Sequence, residues 1–248
     1  MVEITDAANA MRFSPDGKKL FVSFEFGILG SEAEIIASNA DSDADVAADG
    51  PRYAAYFKCD ADKNTLERIP TRNSSIGNEN TAIAFDNAVS TVYFSSYANR
   101  TDDGNLFLIN YNDGEPATTQ KIDLGINRVI LLKEAKKSNK IFACSDRSHY
   151  IVIIDTSSNS CSVPYHIGDY PSDMILSADE KTVYIACLKE NKIVAFDTAT
   201  SSVRDFCTGI NTPSCLALSA DEEILFAGNH QARTISMIDV KTGRLLVT

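Results

Sequence analysis

Residues 170–203 align without a gap on residues 212–245, and an internal repeat of this length decides what such a chain can fold into. Pro171 falls on Pro213, Leu176 on Leu218, Asp179 on Asp221, Asp197 on Asp239 and Thr200 on Thr242, each pair 42 apart. One further step back places Asp155 and Thr156, in IVIIDTSSNS, under Asp197 and Thr198. Within these copies two apolar residues seven apart bracket a polar turn: Leu176 with Val183, and Leu218 with Leu225. The same bracket recurs as Phe13 with Leu20 and as Phe85 with Val92. At least five copies are expected, beginning near Ala10, Thr81, Arg128, Asp173 and Ser214.

Each copy reads as four short strands, for example CLAL, ILFAG, TISMID and RLLV, rich in apolar and β-branched residues and separated by Gly, Asp, Asn and Ser. Asp16, Asp179 and Asp221 follow the first bracket residue by three, where Asp bonds nearby backbone and favours a tight hairpin. No stretch of ten residues keeps a helical period, although SEAEIIASNA has room for a turn or two of helix. Four strands per 42-residue unit is the arithmetic of a propeller blade. The expected fold is therefore an all-β propeller of four-stranded antiparallel blades, one domain or propeller fragment over residues 1–248. About 28 polar and acidic residues, Glu25 to Arg52, separate the second and third strands of the first copy and read as a surface insertion.

The residues of the last three copies, PSDMILSADEKTVYIACLKENKIVAFDTAT above all, resemble the YVTN family of β-propeller repeats, which share their architecture with WD40 proteins. The first two copies keep only the first half of the pattern, as in MRFSPDGKKLFVS. There is no tryptophan and no GH…WD pairing, so the polar network that stabilises WD40 blades has no counterpart here. The resemblance implies a ring that is commonly seven-bladed, about 294 residues at 42 each. Five copies in 248 residues leave three arrangements: a five-bladed ring, blades supplied by a partner, or an excised piece of a larger protein, the last being the expectation.

A formal charge of −11 disfavours nucleic acid and anionic membranes as partners. No apolar run is long enough for a membrane-spanning helix and no secretory leader is legible, which points to an intracellular, cytoplasmic protein. The basic stretch Lys133 to Lys140 reads as a solvated hairpin turn. The six cysteines, 59, 144, 161, 187, 207 and 215, form no CxxC pair and read as free thiols, while Cys207 and Cys215 lie near enough in sequence to permit a disulfide.

Asp41, Asp43, Asp45 and Asp49 match part of a calcium-loop spacing, but Val46 stands where the loop needs Gly and Arg52 where it needs a bidentate Glu. Asp60, Asp62 and Asn64 are a weaker echo and read as an ordinary turn. His149 is expected at the start of a third strand, and His166 and His230 in connecting loops. The first strands, NAMRF, TAIAF, RVILL, SDMIL and SCLAL, hold Arg12, Arg128 and Asp173 as their ionisable groups and lack the carboxylate–histidine set of a lactonase channel. No catalytic, cofactor or metal residue is assigned on these grounds.

The function expected is a protein-interaction or scaffolding module presenting loops on a propeller face. Glu32, Glu34, Asp41, Asp43, Asp45, Asp49, Asp102 and Asp103, in the insertion and in the loop Tyr97 to Gly104, call for a partner with a basic contact surface. The alternatives are a channel-centred hydrolase or lactonase-like enzyme and a ligand-sensing propeller.

Overall fold

The structure is a computed structural model that describes residues 8–14, 17, 19–24, 55–60, 65–69, 80–88, 90–96, 105–110 and 119–248. The segments 25–52 (with the helix-prone stretch and Asp41 to Asp49), 61–64 and 97–104 lie outside the described residues. The chain divides into two compact units, residues 1–123 and 124–248. Among the described residues every regular element is a strand.

The first unit holds two four-stranded antiparallel meanders. One is β1 (Ala8–Phe13), β2 (Lys19–Phe24), β3 (Ala55–Asp60) and β4 (Thr65–Ile69), and the other β5 (Asn80–Phe85), β6 (Thr91–Ser96), β7 (Asn105–Asn110) and β8 (Thr119–Asp123). The second unit opens with β9 (Val129–Ala135), β10 (Lys140–Ser145), β11 (Tyr150–Asp155), β12 (Ser160–Cys161) and β13 (Tyr165–His166), in which β12 and β13 both pair with β11. The meander β14 (Pro171–Leu176), β15 (Thr182–Cys187), β16 (Lys192–Asp197) and β17 (Val203–Thr208) follows. The last is β18 (Pro213–Leu218), β19 (Ile224–Asn229), β20 (Thr234–Asp239) and β21 (Leu245–Val247).

The five sheets share one register. The seven-residue bracket is a cross-strand pair: Phe13 opposite Leu20, Phe85 opposite Val92, Leu176 opposite Val183 and Leu218 opposite Leu225. Every first strand also carries one extra residue near its start, a bulge that strengthens local twist and re-aims the strand. The turns repeat as strictly. Arg128, Tyr170 and Thr212 adopt left-handed backbone before a first strand, and His149, Asn191 and Arg233 do so before a third. Non-glycine residues avoid that region, so the repeat geometry, and not local preference, imposes it.

Turn aspartates fix the hairpins. Asp197 Oδ1 accepts hydrogen bonds from the Ala199 and Thr200 amides and the Thr200 hydroxyl, and Asp239 takes the same bonds from Thr242. Of the stretch Lys133 to Lys140, read from sequence as a solvated hairpin turn, residues 136–139 form the exposed turn, while Lys133 to Ala135 end β9 and Lys140 opens β10.

Strand β15 is buried on both faces because a sheet of the same unit lies on either side, and β10 and β15 alike have every residue after the first buried. Phe142, Cys144, Ile151, Met174, Val183, Ile185, Cys187 and Phe196 form one core between adjacent sheets. Tyr184, Ile193, Ala195, Leu225, Ala227 and Ile238 form the next. Cys207 and Cys215 are both free, so the disulfide their spacing permitted is not formed: Cys207 is buried and Cys215 is exposed.

Candidate functional site

The polar residues singled out in the first strands are occupied in joining one sheet to the next. Arg12, in β1, donates from Nη1 to the carbonyl of Ile83 in β5 at 2.8 Å, with its guanidinium 5.8 Å from the centre of the Phe85 ring. Asp173, in β14, accepts the Met174 amide on Oδ1 at 2.8 Å and the Leu216 amide of β18 on Oδ2 at 2.7 Å. Burial raises the Asp173 pKa, opposed by these two hydrogen bonds and by Lys133. Arg128 stands just before β9, its Nε 3.3 Å from Oδ1 of the buried Asp146, whose pKa burial likewise raises against the pull of Arg128 and Arg147.

The histidines are scattered. His149 precedes β11, and its Nδ1 accepts the Tyr170 amide at 3.3 Å while lying 3.6 Å from Asp169 Oδ1. Asn191, 42 residues on, serves the same purpose: its Oδ1 accepts the Thr212 amide at 2.8 Å. His230 follows β19, exposed, with its amide donating to the Thr212 carbonyl at 3.0 Å. His166 is not in a loop as its spacing suggested but in β13, opposite Tyr150, because the fourth strand of this sheet is interrupted and resumes there.

His166 also borders a cleft of about 290 Å³ that sequence reasoning did not find. Ile167, Gly168, Val194 and Val203 give it apolar walls, and Glu190, Lys192, Arg204 and Asp205 its charge. Lys192, the first residue of β16, places its ammonium 2.5 Å from Glu190 Oε2 and 2.9 Å from Asp205 Oδ1 on β17. Glu190 uses its other oxygen to accept the Asp169 amide at 2.7 Å. That carboxylate fits because residue 168 is glycine: a Cβ there would lie 3.0 Å from Glu190 Oε1 and 3.1 Å from Cys187 Sγ, at a φ of +124°. The hydrogen bond from Lys192 holds Glu190 below the ordinary carboxylate range, and the same bond holds Lys192 above the ordinary lysine range. Asp205, at 60% side-chain exposure, keeps a face toward solvent.

The repeat does not require this triad. At the equivalent places the last sheet has Ala232, Thr234 and Thr248 and still forms four strands. The available sequence signal was that departure, three charges where the aligned copy has none.

Turns at the other end of these strands carry carboxylates of a different kind. Asp155, Asp197 and Asp239 have pKa values lowered first by backbone or side-chain hydrogen bonds from the turns they cap, as do Asp179 and Asp221 in the first hairpins. Glu180 reaches the neighbouring sheet and accepts the amides of Lys137 and Ser138 at 2.8 and 3.0 Å, and Glu222 accepts that of Ala178 at 2.6 Å. Among the described residues no group of three or more His, Cys, Asp or Glu is arranged to hold a metal ion.

No protein-family model and no curated protein matches the chain. Its fold is widely shared among solved structures, with 1080 matching chains, so fold by itself selects no function. A functionally unknown protein from Desulfotomaculum acetoxidans superposes with a TM-score of 0.69 at 8% identity, over 100% of this chain and 70% of that one. The periplasmic gluconolactonase PpgL of Pseudomonas aeruginosa gives 0.61 at 14% identity, over 95% and 69%. Hydrazine synthase of Kuenenia stuttgartiensis gives 0.57 at 18% identity over 72% of this chain, which spans about half (52%) of that chain's length. These are propeller-type folds, and the all-β architecture of four-stranded antiparallel sheets is of that type.

Proposed function

We propose that this chain is a protein-interaction module of the YVTN-repeat kind, belonging to a larger intracellular protein or assembly and engaging a partner with a basic contact surface. The observation that carries the proposal is the Glu190–Lys192–Asp205 cluster, which the repeat can do without and which borders an open, apolar-walled cleft beside strand β17. Rigid sheets hold these charges in place, as a recognition surface requires. Lys192 leaves Asp205 with an exposed carboxylate oxygen able to accept a hydrogen bond from an arginine or lysine of the partner. The net charge of −11 supports a basic partner through long-range attraction, and disfavours nucleic acid and anionic membranes.

The test is affinity capture from native extract with wild-type chain and with the Asp205→Arg and Lys192→Ala variants, read by quantitative mass spectrometry. A partner set depleted at least tenfold by Asp205→Arg supports the reading. Identical capture by all three chains refutes this site as the contact.

A second reading is a lactone-hydrolysing propeller, favoured by the structural likeness to PpgL. It predicts acid release from a panel of sugar lactones, followed by pH-stat with and without added divalent cations. Rates equal to the buffer blank throughout would remove it.

A further inference from the structure

One atom of His149 stands within reach of two groups that make opposite demands on it. Its Nδ1 accepts the Tyr170 amide at 3.3 Å, which requires a lone pair on that nitrogen. The same Nδ1 lies 3.6 Å from Oδ1 of Asp169, and an ionised carboxylate can only accept, so this contact is attractive only when the nitrogen carries a proton. A neutral imidazole that holds Tyr170 turns its lone pair toward Asp169. An imidazolium that pairs with Asp169 leaves the Tyr170 amide without its acceptor. The two bonds exclude one another, and the proton on Nδ1 decides between them.

The loop that carries both partners is a wall of the cleft. Gly168 lines the cleft, and Asp169 and Tyr170 follow it directly. Glu190 accepts the Asp169 amide at 2.7 Å and also bonds to Lys192, which bonds to Asp205. A shift of the loop is therefore passed to the charged cluster through the Asp169 amide. Among the described residues, the charged and titratable groups around His149 are Asp169 and Glu190, Lys189 with its ammonium 4.9 Å from the centre of the Tyr170 ring, His166 in the strand that pairs with β11, and Arg147 on the turn that leads to His149.

The next sheet makes the same bond without a titratable group. Asn191 occupies the equivalent place, with a φ of 54° against 63° for His149, and its Oδ1 accepts the Thr212 amide at 2.8 Å. Asparagine holds the loop at any pH, so what histidine adds at this point of the repeat is the capacity to let go. We infer that His149 is a proton-controlled latch: neutral, it fixes the loop Gly168–Tyr170 that walls the cleft, and protonated, it turns to Asp169 and releases that loop. As a regulator of partner binding the latch rests on the proposed interaction site; as a property of the loop it does not. Histidine side chains change charge between about pH 5 and 8, so mild acid is the signal.

Amide hydrogen exchange of the full chain, read by NMR at about pH 5.5 and about pH 7.5 and corrected for the intrinsic rate at each, tests the inference. Protection of the Tyr170 amide should fall about fivefold at the lower pH, the loss of one hydrogen bond, while that of Thr212 stays level. Asparagine tolerates left-handed backbone, so His149→Asn should keep the bond and hold Tyr170 level too, whereas His166→Asn should leave the wild-type fall intact. An unchanged Tyr170 amide in wild type, an equal fall at Thr212, or the same fall in His149→Asn overturns the inference. Capture from native extract at the same two pH values reads the regulation. Partners depleted by Asp205→Arg should be lost from wild type at the lower pH and retained by His149→Asn at both. Protection that falls as expected with no such partner at either pH supports the latch and removes the interaction reading. Partners captured with no change at Tyr170 remove the latch and keep that reading.

Discussion

Gly243 shows how closely the sheets meet at a single residue. A Cβ at this position would lie 2.1 Å from the carbonyl oxygen of Phe206, on the neighbouring sheet, at a φ of +71°. Gly243→Ala should therefore destabilise by at least about 2 kcal/mol, measured by urea unfolding. His149 is replaceable in a way that its chemistry alone would not suggest. Because Asn191 accepts the equivalent amide, His149→Asn should be nearly neutral and His149→Ala should cost about 1 kcal/mol. The turn aspartates set the acid response. Asp155, Asp179, Asp197, Asp221 and Asp239 have folded pKa values below the unfolded value of about 3.9, so their stabilisation is present above that pH and is lost as pH falls through the folded values. Asp146 and Asp173 are raised and act in the opposite sense, favouring the fold below the unfolded value and losing that contribution as pH rises. With Glu190, also lowered, six carboxylates against two among the described residues predict a lower urea midpoint at pH 3 than at pH 6; an equal midpoint would refute the assignment. The turns were legible because Asp recurs at one spacing. The hydrogen bonds of Arg12 and Asp173 were not, since their acceptor and donor come from other sheets.

At the level of strands, the seven-residue bracket proved to be a pairing register, which is why it located four sheets from sequence. It missed the third copy for a physical reason: the equivalent pair there is Glu134 opposite Ile141, and a half-buried carboxylate breaks the apolar pattern. The fourth strand of that sheet is split into β12 and β13, with Pro164 between them, a residue that has no amide to give the ladder. His166 was misplaced as a consequence. The core of the second unit should be sensitive at Phe196, which is 0% exposed and lies 6.2 Å from the Phe142 ring and 5.6 Å from that of Tyr165. Phe196→Ala is expected to cost about 3–5 kcal/mol by chemical denaturation. A loss under 1 kcal/mol would mean that these two sheets do not share a core.

For the molecule as a whole, architecture was readable from sequence because a propeller is built by repetition, and repetition leaves a period. Function was less readable because it resides where a copy departs from the others. Glu190, Lys192 and Asp205 belong to such a departure, and only the fold shows that they converge on one ammonium group. The interaction reading depends on successive stretches of chain forming equivalent sheets. Nuclear Overhauser contacts in the full chain test this most directly. Cross-strand contacts should join Val183 to Phe196 and Leu225 to Ile238, the same pair 42 residues apart, and Asp173 to Ala186 with Cys215 to Gly228. Backbone-to-backbone contacts that pair β15 in a ladder with any strand other than β14 and β16, or sequential helical contacts anywhere in residues 173–203, would contradict it.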